Sequence, residues 1–227
     1  MLGSTRVSKT PRKSPPKRLQ PKKVPSQERS RATYASMLDA AARLLERHGY
    51  AALTTNHVAD AAGVAIGSLY EYFPTKDVIV AEVVRRTMAE VAREVAASFQ
   101  LALAQGFDAG LGRWVHACFV ALGKRAKLMR VLWMDVPFLW ELSEVQALPQ
   151  LMIGIARQGL PDATSPWLLK DPDAATYLLT VMIRAAIIEG VVARPPNLSI
   201  AQVEASLTEL LRLVLLQPHA KHAPRGA

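Results

Sequence analysis

A single cysteine, Cys118, occurs in 227 residues, so no internal disulfide framework holds the chain and a reducing compartment suits it. No run of about eighteen apolar residues passes without a charge, and no membrane span is expected. The opening residues, MLGSTRVSK, lack the apolar core of a secretory signal, which makes a cytoplasmic protein the simplest expectation. Missing too are a Gly-rich phosphate loop, a metal-ligand cluster and a nucleophile paired with a placed base. An enzyme is therefore not expected, nor a metal or other cofactor. His116 and Cys118 lie two apart and point to different helix faces, while His219 and His222 fall in a tail, 218–227, expected to fray. Strand alternation is absent throughout, which leaves an all-α fold.

Acid is scarce at one end only. Residues 1–31 hold ten Lys or Arg against one acid, Glu28, whereas residues 32–227 hold eighteen of each sign. The excess of positive charge thus belongs to an N-terminal arm. Over residues 1–25 it has five prolines, eight Lys or Arg and no acid, so it is expected to be disordered or extended. Such an arm suits DNA phosphates or a minor groove, or else serves as a solubilising tail.

The rest of the chain reads as helices separated by breakers. Ser26, Gln27 and Glu28 start a first helix, with Tyr34, Leu38, Ala41 and Leu45 along one face, Met37 and Leu44 widening it, and Gly49 ending it. Thr54 and Thr55 offer N-cap hydroxyls to a short helix carrying Val58, Ala59 and Ala62, and Gly63 turns the chain. A second short helix runs from about Ile66 to Phe73, where Pro74 stops it. This is a helix-turn-helix, whose second helix has the size of a DNA major groove. Thr75 and Asp77 then open a long helix reaching about Gln105. An apolar helix to about Lys127 follows, then Leu128 to Val136, Phe138 to Gln158, a loop from Gly159 to Pro172, Asp173 to about Ala193, and a last helix capped by Ser199.

Within residues 37–77, Met37-Leu38-Asp39-Ala40-Ala41, Gly49-Tyr50, Leu53-Thr54-Thr55, Val58-Ala59, Ala61-Ala62-Gly63-Val64, Gly67-Ser68-Leu69-Tyr70, Tyr72-Phe73 and Lys76-Asp77 closely resemble the N-terminal domain of the TetR family of transcriptional regulators. That resemblance implies an all-α homodimer whose third helices enter the major groove of a near-palindromic operator. A C-terminal helical domain would bind a small effector that releases the DNA. It divides the chain into the arm, 1–25, a helix-turn-helix domain, 26–74, an effector-binding and dimerisation domain, 75–217, and the tail. By matching positions, Thr55, Tyr70 and Lys76 would contact phosphates, and Ile66, Gly67, Ser68, Glu71 and Tyr72 would face the groove, with Thr54 beside them. Ala65 departs from the family pattern, which often has a capping Ser or Thr there; losing that hydroxyl costs about 1 kcal/mol of local helix stability. Glu71 either accepts from a cytosine amine or is a solvated charge.

Beyond residue 105, Trp114, Phe119, Met129, Trp133, Met134, Phe138 and Trp140 bring rings and thioethers to helices expected to surround one cavity, either as an effector pocket or as plain core. Tyr177 to Ile188 has one charge, Arg184, and Leu207 to Leu216 is apolar on most sides. Both segments must be covered, by a monomer core or by their copies in a four-helix dimer interface. The dimer is the expectation, with a charge at Leu211 splitting it. A DNA-binding repressor released by a largely apolar effector follows; the alternative is a constitutive or architectural DNA-binding protein.

Overall fold

A computed structural model describes residues 19–159 and 170–215, and every regular element among them is helical. Helix α1, Glu28–Ala52, begins with Glu28 in its first turn and buries Met37, Leu38, Ala40, Ala41 and Leu45. It breaks at Gly49, whose φ of 75° and ψ of 176° leave helical space. Helix α2, Thr55–Ala62, is capped by Thr54, whose Oγ1 accepts from His57 N at 3.2 Å. Gly63 closes it at φ 67°, a left-handed conformation that a Cβ would disfavour. Helix α3, Ile66–Tyr72, runs up to Phe73 and Pro74. Helix α4, Lys76–Ala104, is capped by Thr75, and its buried side includes Val78, Ile79, Val83, Val84, Val95 and Phe99.

Against the far half of α4 lies α5, Phe107–Gly123. The approach is close: a Cβ on Gly110 would stand 2.2 Å from the Ala102 carbonyl oxygen, so only glycine fits. Helix α6, Ala126–Asp135, packs on α1. The single helix expected from Phe138 to Gln158 is three pieces: a 3-10 turn, Leu139–Glu141, a short helix α7, Ser143–Gln146, and α8, Leu148–Gly159. Pro149 explains the last break, since a proline belongs in a first turn and not in a helix interior. Leu139, Leu142 and Val145 are buried at a spacing of three, which tight turns keep on one face and an α-helix would not.

Helix α9, Pro172–Val192, has Asp171 as its cap and proline in its first turn. Helix α10, Ile200–Leu215, opens with a reciprocal capping pair, Ser199 Oγ accepting from Gln202 N at 3.1 Å and Gln202 Oε1 accepting from Ser199 N at 2.8 Å. By length and composition α9 could cross a membrane, with a mean hydropathy of 1.7, but half of that stretch is buried inside the fold. It touches α5, α6, α8 and α10. Leu211 is 2% exposed within the single chain, so a charge there would strike the core first; the solvent-facing apolar side chains include Ile200, Leu210 and Leu213 on α10 and Tyr177, Leu178 and Met182 on α9. Most of the loop expected over 159–172 lies outside the described residues, as do the tail histidines, the tail itself and residues 1–18 of the arm.

Residues 19–25 do not form a free arm. Leu19 is fully buried, and its carbonyl accepts from Arg85 Nη2 at 3.0 Å. The composition of the arm hid this, because one leucine among prolines and lysines is enough to anchor it.

Candidate nucleic-acid interface

The outward face of α3 is built from what its inward face buries. Leu69 and Phe73 are fully buried, Tyr34 lies 4.8 Å from the Phe73 ring, and Tyr34 meets Tyr72 edge-on at 5.4 Å. Tyr34 is itself held by its hydroxyl donating to Glu82 at 2.8 Å on α4; burial, then that carboxylate, push its phenol far above the ordinary range. With these residues inside, Ala65, Ile66, Gly67, Tyr70 and Glu71 are exposed and Ser68 is half-buried. Nothing would lie within 4 Å of a Cβ on Gly67, which leaves the space above the backbone open. Tyr72 is a correction: at 8% exposure, stacked into the Tyr34 cluster, it belongs to the core and not to the groove face. Three residues separate it from Leu69 on a 3.6-residue period, which puts both on the buried side.

Two hydroxyls expected at phosphates meet each other. Thr55 Oγ1 and Tyr70 OH are 3.0 Å apart across α2 and α3, so both are oriented before any DNA arrives. Thr54 is exposed but committed as the α2 cap. Ala65 caps α3 without a side-chain hydrogen bond; its carbonyl accepts from Ser68 N at 2.9 Å and from Leu69 N at 3.3 Å.

What α3 lacks at its start it receives at its end. Lys22 N donates to Tyr72 O at 2.8 Å, and Lys22 Nζ donates to Tyr70 O at 2.9 Å. The arm thus satisfies carbonyls that the last turn leaves open, with a cation at the negative end of the helix dipole. Beside it, Lys23 Nζ is 2.6 Å from Glu71 Oε2 and 4.8 Å from the centre of the Tyr72 ring. The hydrogen bond and charge of Lys23 lower the Glu71 carboxyl below its ordinary value, and the same bond raises Lys23. Glu71 is therefore not a bare anion. Sequence patterning missed that Lys22 and Lys23 pack against the end of α3; the signal was Leu19, the apolar residue shortly before them.

Lys76 is also engaged. Its ammonium donates to Tyr50 O at 3.2 Å and Ala51 O at 3.3 Å, and sits 4.5 Å from the centre of the Tyr50 ring. It caps the end of α1. Tyr50 OH in turn donates to Asp77 at 2.7 Å, and burial followed by this bond pushes its phenol up to about 12. Phe138 closes the cluster, its ring 6.0 Å from that of Tyr50. Expected in a pocket, Phe138 instead lies where α1 meets the C-terminal half. Arg85 makes a second joint, donating to Leu19 of the arm, pairing with Glu82 on its own helix and reaching Glu144 of α7 at 3.2 Å.

Behind this unit lies an apolar cavity of about 80 Å³. Its walls are Met88, Val91, Ala92 and Val95 of α4, Cys118 and Leu122 of α5, Met129 and Trp133 of α6, Leu148, Met152 and Ile155 of α8, and Arg184, Ile187 and Ile188 of α9. Of seven aromatic and thioether residues expected there, it gathers Met129 and Trp133. Trp114 is core, edge-on to Phe99 at 5.3 Å, and Phe119 is buried beside the position of Gly190. Met134 and Trp140 are 63% and 55% exposed, Trp140 lying edge-on to Trp133 at 4.9 Å. Burial pushes the Cys118 thiol up to about 12, so it is an inert wall residue. His116 pairs with Glu204 on the outside of the bundle at 2.9 Å. No group of three or more metal-ligating side chains occurs among the described residues.

Residues 37–83 match the family described as bacterial regulatory proteins, tetR family. Over 65 residues the chain is 40% identical to the HTH-type transcriptional repressor KstR2 of Rhodococcus jostii, a stretch covering 27% of this chain and 32% of that protein. The match therefore spans about a third of the relative's length. In fold, the chain is similar to the fatty acid degradation regulator FadR of Bacillus halodurans, with a TM-score of 0.64 and 20% identity over 83% of this chain and 96% of that one. It is similar also to FadR of Bacillus subtilis in complex with stearoyl-CoA, with a TM-score of 0.59 and 20% identity over 78% and 97% of the two chains. The helix-turn-helix region, residues 37–83, thus matches the tetR family of bacterial regulatory proteins in sequence, and the all-α architecture is similar to that of solved chains over nearly their whole length.

Proposed function

We propose that the chain is a DNA-binding transcriptional repressor, released from a near-palindromic operator by a small, largely apolar effector. The observation that carries this is the continuity of α4: Lys76 at its start holds the end of α1, while Met88 to Val95 on the same helix wall the cavity. A molecule larger than the resting cavity must displace that wall, and the displacement tilts α3. The stearoyl-CoA held by FadR of Bacillus subtilis supports an apolar-chain effector.

The protein acts as a homodimer in this account. Tyr177, Leu178 and Met182 on α9, with Leu210 and Leu213 on α10, form the isologous face. Two α3 helices then read half-sites roughly 34–36 Å apart. Phosphate contacts come from Thr55, Tyr70 and the arm, and the groove is met by Ile66, Gly67, Ser68 and Glu71. Lys76 reaches a phosphate only by giving up part of its α1 cap.

Selection of bound fragments from random duplex DNA by the full chain gives the operator, and a compound screen for release gives an effector. The effector's affinity is then measured with and without saturating operator. Linkage requires DNA to weaken it by the factor through which it weakens DNA, typically about 1–3 kcal/mol. Equal affinities would show that α4 transmits nothing, and would favour the constitutive alternative.

A further inference from the structure

Among the described residues lining the cavity, Arg184 alone carries a charge. It stands in the middle of α9, yet its Nε is sealed from solvent with no hydrogen-bond partner, and no described residue forms an ion pair with it. The residue as a whole is half-buried, but a sealed N–H of a charged group left unpaired is costly, and such exceptions call for a partner. The other walls offer no anion: they are the thioethers of Met88, Met129 and Met152, the Cys118 thiol, aliphatic side chains and the Trp133 ring.

We infer that the effector is an amphiphilic acid, with an unbranched apolar body lying among the methionines and a carboxylate received by Arg184. The planar fork of a guanidinium matches a carboxylate with two parallel hydrogen bonds, and flexible thioethers adapt to a methylene chain. At about 80 Å³ the resting cavity is smaller than such a molecule, so its entry displaces the α4 wall as proposed above. This identification rests on the cavity being the effector site proposed above.

The test uses the full-length protein with octanoate and octan-1-ol as probes, binding being followed by calorimetry and by Trp133 fluorescence, and release from the selected operator by gel shift. Wild type binds octanoate about tenfold or more tightly than the alcohol, as a charge-assisted pair beside an apolar cavity requires. Arg184→Met removes that preference, with the alcohol as internal reference and a thermal melt as the check on folding. If the variant does not fold, Arg184→Lys, which keeps the charge and loses the fork, shrinks the preference instead. Equal binding of both probes by wild type, with release of DNA by both, overturns the carboxylate inference and leaves the effector reading standing. A preference that survives in Arg184→Met overturns the role of Arg184. Binding of neither probe overturns both the inference and the cavity as effector site.

Discussion

The N-terminal helices and the C-terminal bundle are packed to different degrees. In α1 to α3, Met37, Ala40, Ala41, Leu45, Val58, Leu69 and Phe73 are all at 0% exposure, and caps at Thr54, Lys22 and Lys76 satisfy the helix ends. Nothing is left over inside, so what this unit does is done on its surface. In α5 to α10, by contrast, a cavity remains, an arginine lacks a partner, and Tyr177, Leu178, Met182, Leu210 and Leu213 face outward. Unfilled volume and uncovered apolar area each mark a partner to come. Under the function proposed above, the closed unit holds a shape for DNA, while the open one has something to gain from a ligand and a second copy.

The largest expected effect comes from opening the closed unit. Phe73→Ala removes a fully buried ring and should cost about 3–5 kcal/mol, read as a lower midpoint in urea unfolding together with loss of DNA binding. Retention of the wild-type midpoint would mean that this core is less complete than its geometry. Next, a pair of α10 variants separates covering by the chain from covering by its copy. Leu211→Glu buries an unpaired charge and costs about 3 kcal/mol or more, while Leu213→Glu, at a 62% exposed position, leaves the melt nearly unchanged and yields monomers in sedimentation. A stable dimer from Leu213→Glu would move the interface elsewhere.

Smaller again, Thr54→Ala removes the α2 cap and lowers stability by about 1 kcal/mol, checked by chemical unfolding. Least in stability and most specific in function is Lys23→Ala. Both partners are exposed, so the melt should hardly move, but the arm loses one cation for the phosphates and leaves Glu71 uncovered beside the groove, and the salt slope of DNA binding should fall by about one. The pair also sets a pH window. Lys23 keeps the Glu71 carboxyl below its ordinary value of 4.5, so the difference between variant and parent is full above that value and fades as pH falls through the lowered one.

The all-α class, the caps at Thr54, Thr75 and Ser199, the stop at Gly49 and the length of α4 follow from the sequence itself, because each depends on neighbours within one or two turns. Val58 and Ala59 were legible as an inward face for the same reason: periodicity assigns a face locally. Tyr72 was assigned wrongly because a resemblance by position does not say which side of a seven-residue helix a ring takes; Tyr34, 38 residues away, decided that. Only the tertiary structure placed Leu19 in the core, brought Lys22 and Lys23 to the end of α3, and sorted Met129 and Trp133 from Phe138 and Trp140. These placements join residues far apart in the chain, where hydrophobicity says that a side chain will be covered but carries no information about what covers it.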